Sequence, residues 1–356
     1  MQKEKIRIVG AGLSGLAAAI SLAREGYSVD VFDINSESGQ ERATDWDAVE
    51  NWTTPQDFLK LLSQWGIEAR FDVVCPDRVE VFDQAETRYT LSTRRPLMYL
   101  IRRGIEPGSL DQSLKQQALE MGVCLYYDHP CAPEEVDIWA AGLPQNGFFL
   151  NVGVTFRTPQ PDTLAYLVSP DVAPNAFAYL AIVHGIGKIT VFLTEDYQNA
   201  RQYLNLAMEA FQRLKNLVMD DVRVHSGFGG MSLADQAGIG SQYVVGEAAG
   251  YYDYFSGFGV RYALISGTLA ALAIHRQVDY LSMVAQQITP TVRASMVHRM
   301  LYDIAGAKLA PAFFRNSTGS AIWHERFEQW YRGGALERLL WPLARRKYQK
   351  HQVFEK

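Results

Sequence analysis

Cysteine is scarce: the 356 residues include three, Cys75, Cys124 and Cys131. They form no CxxC pair and no metal-ligand spacing, and an odd number argues against a disulfide framework. Idle thiols in a reducing compartment are expected, and no metal site is predicted. Positive charge is not in excess either. The formal net charge is -5, which disfavours a nucleic-acid partner. No run of about 18 or more apolar residues occurs, so no membrane-spanning helix is expected. Met1 to Lys5 leads straight into an apolar strand with no apolar h-region, so no signal peptide is read and a cytoplasmic location is expected. Repeats, low-complexity tracts and linkers rich in proline or serine are missing too. What remains, 48% hydrophobic and 21% charged, suits one large or two modest domains that can enclose a ligand.

Glycine, by contrast, is placed with purpose. Ile6 to Val9 reads as a strand, and Gly10-Ala11-Gly12-Leu13-Ser14-Gly15 follows as G-x-G-x-x-G. Leu16 to Glu25 reads as a helix stopped by Gly26, and Ser28 to Ile34 as a second strand. Gly10 allows the tight turn, Gly12 lets backbone approach a pyrophosphate, and Gly15 lets the helix pack closely. The positive end of the helix then faces the phosphates. Asp33 closes the unit, where an acidic side chain accepts from ribose hydroxyls and repels a 2′-phosphate. NADP is therefore disfavoured at this site, and FAD and NAD both remain open.

Further along, Thr54-Pro55-Gln56-Asp57 looks like a helix start with Pro in its first turn, and Val73 to Leu91 reads as strands, with Arg78 to Leu91 forming a hairpin. Ser109 should cap a helix running to Gly122, and the strand "EVDIWAAGL" ends at Ala140-Ala141-Gly142. Asn151 to Leu193 is mostly strand, with a tight turn at His184-Gly185-Ile186-Gly187, and Asp196 to Val218 reads as a helix. Beyond Gln277 the chain looks helical. The expected architecture is α/β: a Rossmann-like nucleotide domain (residues 1–72, 95–150 and 222–280), an inserted antiparallel β-sheet substrate domain (73–94 and 151–221), and a helical C-terminal region (281–356).

A second glycine cluster bears on the cofactor. In "YVVGEAAGYYDYFSGFGVRYALISGTLAA" a short strand ends at Gly246-Glu247, and Gly257-Phe258-Gly259-Val260 opens a helix. Backbone amides there would stabilise negative charge on a reduced isoalloxazine ring, and Glu247 would bond the ribityl chain. This stretch, the Gly10 to Asp33 unit, and Arg102-Arg103 followed by "SLDQSLKQQALEMGV" together resemble the geranylgeranyl reductase-like flavoproteins. Those belong to the p-hydroxybenzoate hydroxylase-type FAD superfamily. Three departures stand out. The family's Gly-Asp is Gly246-Glu247 here, the usual loop proline is replaced near Tyr254 and Phe255, and "AFAYLAIVHGIG" lacks the prenyl reductases' Trp and Pro.

The resemblance implies FAD as cofactor, with NAD(P)H as a transient electron donor, because no second G-x-G-x-x-G exists. It implies that Arg102 or Arg103 reaches the FAD. Arg42, nine residues after Asp33, is a further candidate for the pyrophosphate. Tyr179, Tyr254 and Phe255 are candidates for a pocket over the flavin. No catalytic acid or base is identifiable. The implied activity is hydride transfer through the flavin to an apolar, isoprenoid or lipid-like small molecule. The alternatives are a flavin monooxygenase hydroxylating an aromatic or other small molecule and a non-redox protein with a structural or regulatory FAD. The tail mixes Trp330, Tyr331, Arg338, Trp341, Arg345 and Arg346. It reads as a helical lid or as a peripheral contact with an anionic membrane.

Overall fold

The computed structural model describes residues 4–40, 45–91, 93, 95–142, 149–229, 243–306, 314 and 323–349. Three sheets organise it. The first is parallel, five-stranded, in the order β15-β9-β1-β2-β8, formed by β1 (Lys5–Val9), β2 (Ser28–Phe32), β8 (Cys124–Tyr126), β9 (Ile138–Trp139) and β15 (Tyr243–Val244). Helix α1 (Leu13–Arg24) follows β1. Its Ala17-Ala18-Ala19 core is fully buried, and small residues let it lie against α5 (Val260–Arg276) and α3 (Leu110–Glu120). A side chain at Gly267 of α5 would overlap the Ser14 carbonyl of α1, so glycine is what permits this crossing.

The second sheet is seven-stranded, in the order β14-β10-β13-β12-β11-β5-β6. Its members are β5 (Val79–Asp83), β6 (Arg88–Leu91), β10 (Phe149–Arg157), β11 (Thr163–Val168), β12 (Ala178–Val183), β13 (Ile186–Leu193) and β14 (Asp220–Gly229). The β5–β6 hairpin forms as expected, and the β12–β13 turn sits at His184 and Gly185, both with positive φ (50° and 78°). Two features differ from the expectation. β11 runs parallel to β5, so the sheet is mixed rather than wholly antiparallel. Residues 222–229, assigned above to the nucleotide domain, lie in β14, which pairs with β10 along its length. Its exposed, polar edge-strand pattern hides that partnership from the sequence.

Strand alternation gives this sheet two faces. Leu180, Ile182, Ile189 and Val191 share a core with Leu204, Ala207 and Phe211 of α4 (Ala200–Lys215). Val81, Tyr89, Leu164 and Ala181 pack instead with Trp52, Leu100, Trp323 and Tyr331. This second face looks toward the third sheet, β3-β7-β4, formed by β3 (Asp45–Glu50), β7 (Met98–Arg103) and β4 (Val73–Val74).

The C-terminal region is helical, with α6 (Tyr280–Gln287), α7 (Thr289–Ala305), α8 (Trp323–Arg332) and α9 (Ala335–Gln349). Asp303 of α7 holds α9 through Lys347 and Tyr348. Between β3 and β4 lies α2 (Phe58–Gln64), capped by Asp57, with the carboxylate accepting from the amides of Leu59 and Lys60.

Candidate cofactor and substrate site

The glycine loop is built as its spacing requires. Gly10 has φ +99°, and a side chain there would overlap the carbonyl oxygen of Ala140. A side chain at Gly15 would overlap the carbonyl oxygen of Gly10. Gly12 differs from both: its backbone is extended, and nothing lies within 4 Å of where a Cβ would be. Two glycines are thus demanded by packing, and the third keeps space open beside the helix end. Gly12 caps α1 without any side-chain bond, and no acidic residue lies in the first turn. The amides of Leu13, Ser14 and Gly15 lie in that turn, where the helix end favours an anion.

Asp33 has a role the sequence did not disclose. Its Oδ2 accepts from the amide of Ala11 at 2.6 Å, and its Oδ1 from the amide of Asn35 at 2.8 Å. It fixes the glycine loop against the end of β2. Ser38 adds a second tether, donating to the carbonyl of Ala11 at 2.9 Å.

Residues more than two hundred positions apart in the chain meet here. A Cβ on Gly246 would stand 2.6 Å from Ser14 Oγ, and the Gly246 amide donates to Ser266 Oγ at 2.8 Å. A Cβ on Gly142 would stand 3.9 Å from a carboxylate oxygen of Glu247. Ala141 and Gly142 follow Ala140, whose carbonyl abuts Gly10. The loop 10–15, the 140–142 strand end and Gly246-Glu247 therefore form one cluster.

The Gly257–Val260 segment is organised by Asp253, which is fully buried. Its Oδ1 accepts from the amides of Phe255 and Ser256 at 2.9 and 3.1 Å, and its Oδ2 from Tyr331 Oη at 2.7 Å. The Gly257 amide donates to the Asp253 carbonyl. Those amides are thus committed within the loop, and the uncapped end of α5 starts at Gly259. A side chain at Gly257 would overlap the Phe192 ring, and one at Gly259 would stand 2.7 Å from the Tyr252 ring. Phe258 packs edge-on against Trp52, and Val260 is buried. Burial raises the Asp253 carboxyl to about 6, against the opposing hydrogen bond from Tyr331.

The arginines expected at the cofactor are engaged with carboxylates. Arg103 is buried and makes a two-pronged bond to Asp111 (2.8 and 2.9 Å) and a longer one to Asp47 (3.4 Å). Arg102 bonds Asp72 and the Pro107 carbonyl near the surface. Asp111 lies against Gly39, so Arg103 braces the 37–39 loop whose Ser38 holds Ala11. Arg42 lies outside the described residues. Of the pocket candidates, Tyr254 is buried with its hydroxyl on the Gly250 carbonyl, and Phe255 packs on Trp330 and Tyr302. Tyr179 stands on the sheet face that looks toward β3, beside Tyr166. Trp330 stacks on His298, Tyr331 is buried, and Trp341 lies under Arg293, so the tail aromatics pack onto the body.

Several charged residues that carry the interior were not singled out from the sequence. Lys188 of β13 bonds Asp47 of β3 at 3.3 Å, and both it and Thr190 are buried in an otherwise apolar strand. Polar residues at alternate positions of "IGKITVFL" were the available signal. Glu50 and Arg261 form a fully buried pair at 3.5 Å. Burial pushes the Glu50 carboxyl up to about 7 against the attraction of Arg261. The three cysteines are free, and two of them are exposed. Among the described residues no group of His, Cys, Asp and Glu is placed to hold a metal ion, and no helix is long and apolar enough to cross a membrane.

Residues 8–47 match the model of a NAD(P)-binding Rossmann-like domain. No curated protein matches the chain by sequence. Solved structures match it through their fold. A geranylgeranyl bacteriochlorophyll reductase-like protein from Thermoplasma acidophilum is 14% identical, with 98% of this chain and 99% of that one covered at a TM-score of 0.67. The flavin-dependent halogenase CmlS is 15% identical, with 98% and 71% covered and a TM-score of 0.61. A flavoprotein/dehydrogenase from Cytophaga hutchinsonii is 13% identical, with 99% and 97% covered and a TM-score of 0.59. The chain thus resembles, over nearly its whole length, the fold of a geranylgeranyl reductase-like protein and of flavin-dependent enzymes: a Rossmann-like parallel sheet, a second β-sheet and a helical C-terminus.

Proposed function

We propose that this chain is an FAD-dependent oxidoreductase acting by hydride transfer on a small molecule with a largely apolar, isoprenoid-like body. One observation carries the reading: the open backbone at Gly12, the uncapped end of α1 and Gly246-Glu247 belong to a single cluster, and a Cβ on Gly246 would stand 3.9 Å from Ala263 in the first turn of α5, whose end is also uncapped. A mononucleotide needs only the first of these, whereas a dinucleotide that continues past its pyrophosphate uses both halves. The residues present fit FAD. Gly12 and the first turn of α1 would hold the pyrophosphate, Asp33 the adenosine ribose, and Glu247 the ribityl hydroxyls. The flavin would supply the redox step.

The chain's own residues would position and shield. Gly259 at the end of α5 would bring backbone amides to the flavin ring without a side chain in the way. Tyr166 and Tyr179 supply aromatic surface on the facing sheet. Trp52, Phe258 and Phe327, packed on one another, would exclude water from that side. NAD(P)H would visit as donor, since residues 8–47 carry the chain's one dinucleotide fingerprint.

The test is direct. Purified protein should carry FAD or take it up, and the reduced enzyme should transfer hydride to an alkene without oxygen. Oxygen uptake matched to NAD(P)H oxidation would replace this reading by a monooxygenase. A bound flavin that no donor reduces would make it structural. We further propose that the last helix meets an anionic bilayer, because Leu336, Leu339 and Leu343 are 54%, 75% and 58% exposed beside the exposed Arg338 and Arg346.

A further inference from the structure

Lys188, Thr190 and Phe192 are successive residues on one face of β13. Lys188 is bonded to Asp47 of β3, and the Phe192 ring lies against Gly257. These are two points at which the large sheet touches the nucleotide-binding half, and Thr190 stands between them. It is 2% exposed, and its hydroxyl has no hydrogen-bond partner among the described residues.

The neighbouring strands extend the pattern. Gly153 of β10 is opposite Thr190 on one side and His225 of β14 on the other. A side chain at Gly153 would stand 2.5 Å from the His225 ring, so glycine lets the imidazole lie over β10 toward Thr190. Asn151, two residues along β10, is on the same face. Asn151 Oδ1 and His225 Nε2 are also buried and unpartnered. Three such atoms on adjacent strands are a cost to the fold, which ordinarily pairs its buried polar groups.

We infer that Thr190, Asn151 and His225 form a polar anchor for a neutral hydroxyl, carbonyl or amide group of the substrate, whose body lies along Tyr166, Tyr179 and Phe192. Neutrality follows from the surroundings. Lys188 and Arg103 face Asp47 and Asp111, and burial together with the nearby Lys188 charge pushes the imidazole down to about 4, so it is uncharged at neutral pH. The inference deepens the oxidoreductase reading and rests on it for the claim that the anchored molecule is the substrate. It replaces a pure hydrocarbon by an apolar body with one polar end.

The experiment is calorimetric titration of the flavin-loaded protein with benzamide and with toluene, which share a ring and differ in the polar group. Benzamide should bind at least about tenfold tighter than toluene. Thr190→Val and His225→Leu should each weaken benzamide by roughly five- to fiftyfold, leave toluene unchanged, and keep the flavin spectrum and melting temperature of the parent; His225→Gln should restore most of the loss. Equal binding of the two probes, no benzamide binding, or variants that bind it like the parent would overturn the anchor. So would variants that lose flavin or shift its spectrum without probe, since the patch would then serve the cofactor. A parent protein that binds no flavin refutes the oxidoreductase reading alone, and the same titrations on it still decide the anchor.

Discussion

Two glycines of the first loop, three residues apart, should respond to substitution in opposite ways. At Gly12 the backbone is extended (φ −85°, ψ −173°), a conformation open to any residue, and no atom lies within 4 Å of the added Cβ. The fold should therefore accept Gly12→Val at the cost of a poorer helix cap, about 1 kcal/mol or less. In a chain of this size that is a shift of a few degrees in melting temperature. The valine would nevertheless occupy the space through which a pyrophosphate reaches the first turn of α1. Overpacking a close contact costs about 1–3 kcal/mol, which corresponds to roughly 5- to 150-fold in the dissociation constant for FAD. At Gly15 the added Cβ of Gly15→Ala would overlap the Gly10 carbonyl oxygen, and both partners are backbone atoms of a fixed strand-to-helix turn. That variant should lose more than about 3 kcal/mol of stability whether or not flavin is present. Flavin fluorescence titration paired with chemical denaturation separates the two effects. A Gly12→Val protein with parental flavin affinity, or a Gly15→Ala protein of parental stability, would refute the reasoning.

Asp111→Asn leaves Arg103 buried without its two-pronged carboxylate, with Asp47 at the longer distance of 3.4 Å. A loss of about 3 kcal/mol is expected in urea denaturation, and a loss below about 1 kcal/mol would contradict the buried pair. The Asp253 carboxyl is raised from 3.8 to about 6, so its stabilising neutral form is fully present below the unfolded value and is lost as pH rises through 6. Asp253→Asn should therefore gain stability relative to the parent between about pH 4 and pH 7, by roughly 3 kcal/mol at the outside, and a constant difference across that window would refute the assignment. Leu339→Glu should reduce co-sedimentation with phosphatidylserine vesicles several-fold and leave neutral vesicles unaffected. Equal sedimentation of both proteins would dispose of the membrane contact.

Local chemistry was legible wherever one residue type has one reason to stand where it does. Gly10 makes the tight turn and Gly15 the close packing that their spacing assigns, and Ser109 caps α3 by accepting from the amide of Gln112. The β12–β13 turn needed two left-handed residues and found them at His184 and Gly185. Segments with a second demand on them read less well. Phe255 and Tyr254 pack on the C-terminal helices and in the core, because the Asp253 carboxylate ties their loop together in a way that a linear sequence does not reveal. β14 looks exposed and polar, and only its register with β10 identifies it as part of the large sheet.

The strand–loop–helix unit that opens the fold was legible in the chain's own residues, because it depends on contacts within about thirty residues and on backbone freedom that only glycine has. Tertiary structure alone decided what faces it. Gly246 against Ser14, Lys188 against Asp47, and Thr190 beside His225 join residues far apart in the chain. A buried charge or hydroxyl has meaning only through its neighbours. Its desolvation is offset by whichever partner the fold brings within hydrogen-bonding distance, and composition and spacing do not encode that partner.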